Sequence, residues 1–468
     1  MSATAPLPTP ARLAALLGRL GAGLLERDAA VRLALLAALA GEHVLLIGPP
    51  GTAKSELARR LHHCFDGARY FERLLTRFST PEELFGPLSL KALEDDRYER
   101  LVDGYLPTAG IAFLDEVFKA NSAILNTLLT LLNEREFDNG SGRSPTPLIS
   151  VIGASNEVPA DEALLAFFDR FLLRVPVRPV SDAAFGALLG LGAAEAAAAA
   201  VAEPLSAGER AAVKAAGDGV ALGPDAFAAL HALRSLLAER AQPVSDRRWR
   251  QFVALLRTAA VTEGRTEVDA LDLWLAAYVV AHEPADTGVF EGWFVEHIAG
   301  AAAKEMPWLA RAVDAFEKQL QIEQHMPAED GAEGAGKIAL ARTLASSARD
   351  DEAVMPRLES ATLEAQAVRR FGPLHIEARC MQVAQVADQV AALCDAERQC
   401  LATLEDQLTD RIWLPPSLCA RLLSGPADTL SRLGDWAARL AATHAGFAAL
   451  PLDSALAPER PPPIALSA

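Results

Sequence analysis

Gly48-Pro49-Pro50-Gly51-Thr52-Ala53-Lys54-Ser55 follows directly on the apolar run Val44-Leu45-Leu46-Ile47 and precedes an amphipathic stretch from Glu56 to Leu61. The spacing, Gly, four residues, then Gly-Lys-Ser, is that of a phosphate-binding loop between a buried strand and a helix, and both flanks it requires are present. The residue types suit that chemistry. Gly48 and Gly51 let the backbone curl so that its N–H groups surround a polyphosphate, whose charge also favours the N-terminal end of the following helix. Lys54 can reach the β and γ oxygens as a point charge, and Ser55 can place a hydroxyl on Mg²⁺. The eight positions from Gly48 to Ser55 are candidate ligands of ATP, with Ser55 also a metal ligand.

Ala11 to Leu25 and Asp28 to Ala40 read as helices leading into this strand, with leucines at three- and four-residue spacing. Tyr70 to Leu75 reads as a second strand. Ser79 or Thr80 then caps a helix carrying Pro81, Glu82 and Glu83 in its first turn. Leu88 to Leu106, with alternating pieces such as Tyr98 to Val102, reads as a small β-hairpin inserted into that helix. Ile111 to Asp115 is an apolar strand ending in the pair Asp115-Glu116. Asp115 is suited to hold Mg²⁺, mostly through water, and Glu116 to orient and deprotonate the water that attacks the γ-phosphate. Carboxylates also follow strands as helix caps, but about sixty residues after a phosphate loop the catalytic reading is favoured.

Ala123 to Glu134 is an amphipathic helix, Asn139-Gly140-Ser141-Gly142 a turn, and Leu148 to Ala154 a buried strand ending at Ser155-Asn156. Asn156 either holds the attacking water or caps its strand. After a helix from Glu162 to Phe168, Asp169-Arg170 precedes a last strand, Phe171 to Val175. Arg170 has no carboxylate at helical spacing; it either faces a neighbouring subunit or pairs with Asp169 or Glu162.

Pro176, Pro179 and Pro204 mark a hinge, beyond which the pattern is helical: Ala183 to Glu203, Ser206 to Ala216, Pro224 to Arg240, Asp246 to Val261 and Glu267 to Ala281. Ser245 or Asp246 caps a helix with Arg247 and Arg248 in its first turn, where the helix dipole disfavours cations. Either an anion lies nearby or the two arginines are simply solvated. From Gly292 onward Trp293 to Gln324 and Leu374 to Thr409 read as long helices, separated by an acidic, Gly-rich loop from Pro327 to Gly336 and closed by Leu414 to Leu440. Pro451 to Ala468 reads as a disordered tail. The expected architecture is α/β: a core with a parallel sheet over 1–180, its insert at 88–106, an all-α lid over 181–290, an all-α C-terminal region over 291–450, and the tail.

The 468 residues carry a formal net charge of −17, which argues against a broad nucleic-acid-binding surface. The five cysteines, Cys64, Cys380, Cys394, Cys400 and Cys419, form no Cys-x-x-Cys pair and suit a reducing cytoplasm. Met1 to Pro10 lacks the pattern of a signal peptide. No apolar run has membrane-spanning length, and the Ala-rich stretch from Ala193 to Ala202 is short and contains Glu195. A cytoplasmic protein without a membrane span is expected.

Taken together, the phosphate loop, Phe113-Leu114-Asp115-Glu116-Val117-Phe118-Lys119-Ala120, Ile124 to Leu129, Ser155-Asn156-Glu157, Asp169-Arg170 and Val244-Ser245-Asp246-Arg247-Arg248-Trp249 resemble the MoxR branch of AAA+ ATPases, and within it the RavA (regulatory ATPase variant A) subfamily. The likeness runs from Leu13 to Glu283. It implies an AAA+ P-loop core in which Arg170 is the arginine finger acting on the neighbouring subunit's nucleotide and Asn156 is the first sensor. It also implies that Arg247 is the lid sensor that touches phosphate, with Arg248 and Arg174 as further candidates for these roles, and that Leu88 to Leu106 faces a central pore. It further implies self-assembly into a hexameric ring, a partner bearing a von Willebrand factor A domain, and chaperone-like remodelling of a client protein complex. RavA proteins carry a β-rich domain within the C-terminal helices; here no strand-like stretch occurs, so the long helices themselves are the expected partner-binding element. A metal-chelatase motor subunit shares the core and the partner domain, and a nucleic-acid translocase shares the ring, although the acidic composition disfavours the latter.

Overall fold

The apolar run ahead of the phosphate loop is the centre of the fold. In the computed structural model, which describes residues 5–140, 142–191, 203–326 and 369–464, seven strands form in the first 180 residues. They are β1 (Val44–Ile47), β2 (Tyr70–Leu74), β3 (Ile111–Asp115), β4 (Glu136–Asp138), β5 (Arg143–Pro145), β6 (Ser150–Ser155) and β7 (Leu173–Pro176). Five of them make one parallel sheet in the order β2-β3-β6-β1-β7. All four residues of β1 and all six of β6 are buried, as expected for strands covered by helices on both faces. Leu45, Leu114, Val151, Ile124, Leu128, Leu131, Phe167 and Phe171 pack between this sheet and its helices. Parallel pairing brings the C-terminal ends of β1, β3 and β6 to one edge, where the loops of an open α/β sheet carry its site.

The segment from Leu88 to Leu106 departs from expectation. Instead of a β-hairpin it has one antiparallel bridge, Leu88 with Arg100, closing a loop that carries the short helix Leu90–Glu94. The Ser89 side chain caps that helix by accepting from the Ala92 N–H at 3.2 Å, which favours a helical turn over continued pairing. The hairpin lies elsewhere, in β4 and β5, whose connecting turn holds the insert. Asn139 accepts from the Arg100 N–H at 2.7 Å and donates to the Arg100 carbonyl at 3.2 Å. Gly140, at φ +79°, passes so close to Tyr98 that a Cβ there would lie 1.7 Å from its carbonyl oxygen.

The lid is mainly helical, with Ala207–Gly217, Pro224–Glu239 and Asp246–Thr262. The helix expected over 267–281 is instead a two-residue parallel ladder, Ala221–Leu222 with Glu267–Val268, followed by a 3-10 turn, Ala270–Leu275, and a single α turn, Ala276–Val279. Asp269 and Asp272 form a capping box there, which starts a new element where a continuous helix was expected. Of the helix expected over 183–203, Asp182–Gly190 is formed, and 192–202, with the Ala-rich stretch, lie outside the described residues.

The lid is clamped to the N-terminal edge of the sheet. Arg248, 3% exposed, donates to the Val279 carbonyl at 2.7 Å on the lid side and, on the core side, to Asp169, the Phe171 carbonyl and the Leu172 carbonyl at 2.7 to 3.2 Å. Gln251 donates to Glu42 at 2.8 Å. Burial pushes the Glu42 carboxyl up to about 7, with Arg135 and Arg247 opposing the shift. Because the folded value is raised, the stabilisation tied to the protonated form is complete below about 4.5 and fades as pH rises through about 7. Glu42→Gln is therefore expected to melt above the parent at about pH 8 and level with it at about pH 5; a difference that does not change with pH would refute this assignment.

Two compact units are present, residues 1–300 with 407–422, and residues 301–406 with 423–468. The segment 407–422, within the C-terminal region expected over 291–450, belongs to the first unit. Arg411, on that segment, meets Asp272 at 2.8 Å and also pairs with Asp269, while Trp413 Nε1 donates to Thr262 at 2.8 Å. The helix expected from Trp293 to Gln324 is broken: after a π turn, Phe294–Ile298, Gly300 takes φ +58° and helix Pro307–Gln324 starts afresh at a proline.

In the second unit Leu309, Val313, Phe316, Val383, Val390, Leu433, Leu440 and Phe447 form the core. Most of helices Pro373–Thr409 and Pro416–Ala448 belongs to this unit. The tail expected to be disordered is ordered over 451–464. Phe371 exchanges backbone bonds with Pro451 and Asp453, the Pro462 carbonyl accepts from Arg379 at 2.9 Å, and Ile464 packs on the core. The loop from Pro327 to Gly336 lies outside the described residues. No helix among the described residues is long and apolar enough to cross a membrane.

Candidate nucleotide site

The phosphate loop leaves β1 at Ile47 and enters helix Lys54–Leu61. Gly48 is sterically required, since a Cβ would lie 1.9 Å from the Val177 carbonyl oxygen. Gly51 and Ala53 take φ values of +77° and +63°, the curled conformation that turns successive N–H groups to one side. Lys54 Nζ donates to the Gly48 carbonyl at 2.5 Å and the Pro49 carbonyl at 3.2 Å, so the lysine lies folded over its own loop. Burial pulls its ammonium below the ordinary lysine range, while Asp115 and Glu116 oppose that shift. A polyphosphate would supply anionic oxygens where Lys54 now has neutral carbonyls.

Asp115 and Glu116 close β3 at the same edge. Glu116 takes φ +50°, and its N–H donates to Asp115 Oδ1 at 3.0 Å. Both oxygens of Glu116 are engaged: Oε1 accepts from Asn156 Nδ2 at 2.6 Å and Oε2 meets Lys119 Nζ at 3.1 Å. The Gly48 N–H donates to the Ser155 carbonyl at 2.9 Å, which sets Asn156 beside the phosphate loop. Among the described residues no three His, Cys, Asp or Glu side chains gather as a metal site. Mg²⁺ keeps several waters and binds through one or two protein oxygens plus substrate phosphates; Ser55 and Asp115 are the residues that would hold it.

Arg170 and Arg247 lie at the opposite edge. Arg170 precedes β7, whose Leu173 pairs with Val44 at the start of β1, and Arg247 Nη2 donates to Asn133 at 2.9 Å at the end of helix Ser122–Glu134. The phosphate loop begins beyond the other end of β1, about 13 Å along the strand. Among the described residues Arg170 forms no ion pair, and its Nε is buried without a hydrogen-bond partner. Partial burial and then the charge of Arg247 press against its protonated form. Asp169, one alternative partner, is taken by Arg248 at 3.1 Å and Arg174 at 3.8 Å.

Arg248 and Arg174 are not free to meet a nucleotide. Arg248 is the clamp described above. Arg174, 4% exposed, donates to the Ala281 carbonyl at 3.0 Å and stacks on Phe168 at 3.8 Å. Lys119 was not legible as a site residue; its only signal is its place three residues after Glu116, where a 3-10 turn brings it back.

Residues 11–211 match the family described as the MoxR domain in the MoxR-vWA-beta-propeller ternary systems, and residues 225–294 match an AAA lid domain. Two uncharacterized proteins of Methanocaldococcus jannaschii are 56% identical over 157 residues, which is 33% of this chain and 42% and 41% of theirs. A structural protein of Acidianus two-tailed virus is 32% identical over 148 residues, 30% of this chain and 24% of that protein. The chain thus spans less than half the length of each of these relatives. A crystal structure from Cytophaga hutchinsonii, assigned as an ATPase, superposes with a TM-score of 0.47 at 18% identity, covering 58% of this chain and 87% of the other.

Proposed function

We propose that this chain, which belongs to the MoxR branch of the AAA+ ATPases, hydrolyses ATP with Mg²⁺ at the interfaces of a ring of identical chains and uses that cycle to remodel a client protein complex. The reading rests on one arrangement. Lys54, Asp115, Glu116 and Asn156 meet at one edge of the sheet, while Arg170 and Arg247 stand at the other, too far away to serve their own site. In a head-to-tail ring each arginine pair would meet the neighbour's γ-phosphate, so each site is completed by two chains. A hexamer and a RavA-like organisation follow from the sequence resemblance. A partner with a von Willebrand factor A domain is supported by the description of the matching domain.

When bound, Mg²⁺ neutralises charge on the β and γ phosphates. Lys54 exchanges its two carbonyl partners for phosphate oxygens. Glu116 must free an oxygen from Lys119 or Asn156 to accept the proton of the attacking water, and Asn156 holds that water. The neighbour's Arg170 offsets charge on the transferring phosphoryl group. Arg248 joins lid and core of one chain, so the moving joint lies between neighbouring chains rather than between lid and core.

Glu116→Gln is expected to bind ATP and fail to turn it over, whereas Lys54→Ala is expected not to bind it. Affinity capture from the native host with Glu116→Gln, and Lys54→Ala as control, tests the wider reading. A von Willebrand factor A domain protein and a further complex should be retained only by the ATP-holding form. Enrichment of tetrapyrrole enzymes or of nuclease-sensitive nucleoprotein would overturn it.

A further inference from the structure

The turn between helices Pro10–Gly21 and Asp28–Ala40 carries two charged residues that the nucleotide chemistry does not use, Glu26 and Arg27. Arg27 is 7% exposed. Its Nε donates to the Thr52 carbonyl at 3.1 Å, its Nη2 to the Arg178 carbonyl at 2.7 Å, and its Nη1 to the Glu26 carbonyl at 2.9 Å. The Glu26 carboxylate accepts from the Ser181 N–H at 2.8 Å and from the Ser181 hydroxyl. One buried guanidinium therefore joins the phosphate loop to the segment that leaves β7 for the lid, and the adjacent carboxylate grips the same segment.

We infer that Arg27 is a positioning residue for the phosphate loop. The peptide unit between Thr52 and Ala53 is planar and trans, so its C=O and N–H point in opposite directions. Pinning the Thr52 carbonyl to Arg27 turns the Ala53 N–H away from Arg27 and into the concave side of the loop. Ala53 sits at φ +63°, a conformation that residues other than glycine hold only with support from their surroundings. Arg27 supplies that support through the Thr52 carbonyl. Its bond to Arg178 extends the same restraint to the connection beyond β7, so that closing of the loop around phosphate is felt there. Methionine can fill the space of Arg27 but donates no hydrogen bond.

This inference rests on the phosphate loop binding nucleotide. The test is titration of fluorescently labelled ADP into the full-length chain, the parent compared with Arg27→Met, Arg27→Met combined with Ala53→Gly, and Lys54→Ala. Arg27→Met should weaken ADP binding about tenfold or more, as loss of a charged hydrogen bond in a buried setting does. Ala53→Gly should recover most of that loss, because glycine takes φ +63° without help. Arg27→Lys, which keeps the charge but not the fork of donors, covers the case in which methionine is not tolerated, and its loss should be reversed by the same glycine. A parent chain that does not bind ADP would remove the nucleotide reading itself. A parent that binds, with arginine variants that bind equally well or whose loss glycine leaves unreversed, would remove the role of Arg27 alone.

Discussion

Arg170→Ala should bind ATP as the parent does and lose turnover by about a thousandfold, the lower end of what an arginine finger contributes. The expectation follows from what Arg170 lacks. It forms no ion pair among the described residues, and its Nε is buried without a partner while Arg248 and Arg174 occupy Asp169. A charged group held in that state, with Arg247 pressing on it and only the already occupied Asp169 opposing that effect, is suited to meet a further anion. Mixing makes the test decisive. If Arg170 acts on the neighbour, a site needs its own Glu116 and the next chain's Arg170. A one-to-one mixture of inactive Arg170→Ala and inactive Glu116→Gln then rebuilds about a quarter of the sites by chance in a head-to-tail ring. Steady-state phosphate release from the mixture should rise to roughly that share of the parent rate if sites act independently. Silence in every mixture would mean that Arg170 serves its own chain or has only a structural role.

What the sequence revealed of this site, and what it hid, divides along one physical line. The phosphate loop, Asp115 and Glu116 are legible because their chemistry is local: a glycine needed for backbone approach, a lysine and a hydroxyl at fixed offsets, a carboxylate pair at a strand end. Arg27 is not legible, because its partners are backbone carbonyls of Thr52 and Arg178, which any residue could provide and which lie 25 and 151 positions away. The tail was misread for the same reason. Its prolines signal a chain without regular structure, yet a carbonyl such as that of Pro462 remains a good acceptor, and Arg379 uses it. The insert was read as a hairpin from alternation in Tyr98 to Val102, but only the Leu88–Arg100 bridge forms, and Ser89 spends the chain's next turn on a helix cap. Arg247 and Arg248 pose a finer problem. Neighbours on a helix point about 100° apart, so the two meet different surroundings, and composition does not say which one meets the core.

Arg248→Ala is therefore the substitution expected to cost the most stability, about 3 to 5 kcal/mol, as when one member of a buried charged cluster is removed. Four carbonyl oxygens, of Asp169, Phe171, Leu172 and Val279, and the Asp169 carboxylate all take hydrogen bonds from this one guanidinium. Alanine would leave these acceptors dry and unpaired, and would leave Arg174 as the remaining cation beside Asp169 at 3.8 Å. Lysine is no remedy, since one ammonium cannot span acceptors on both lid and core. Arg247→Ala is the internal control: it is exposed, its bond is to Asn133, and it should leave stability within about 0.5 kcal/mol of the parent. Urea unfolding of the two variants and the parent, followed by circular dichroism, separates them. A large drop in midpoint for Arg248→Ala with none for Arg247→Ala assigns adjacent arginines to opposite tasks, one holding lid and core together and the other left free to meet a neighbouring nucleotide. Equal effects would mean that the clamp is shared, leaving neither arginine free for a neighbouring nucleotide.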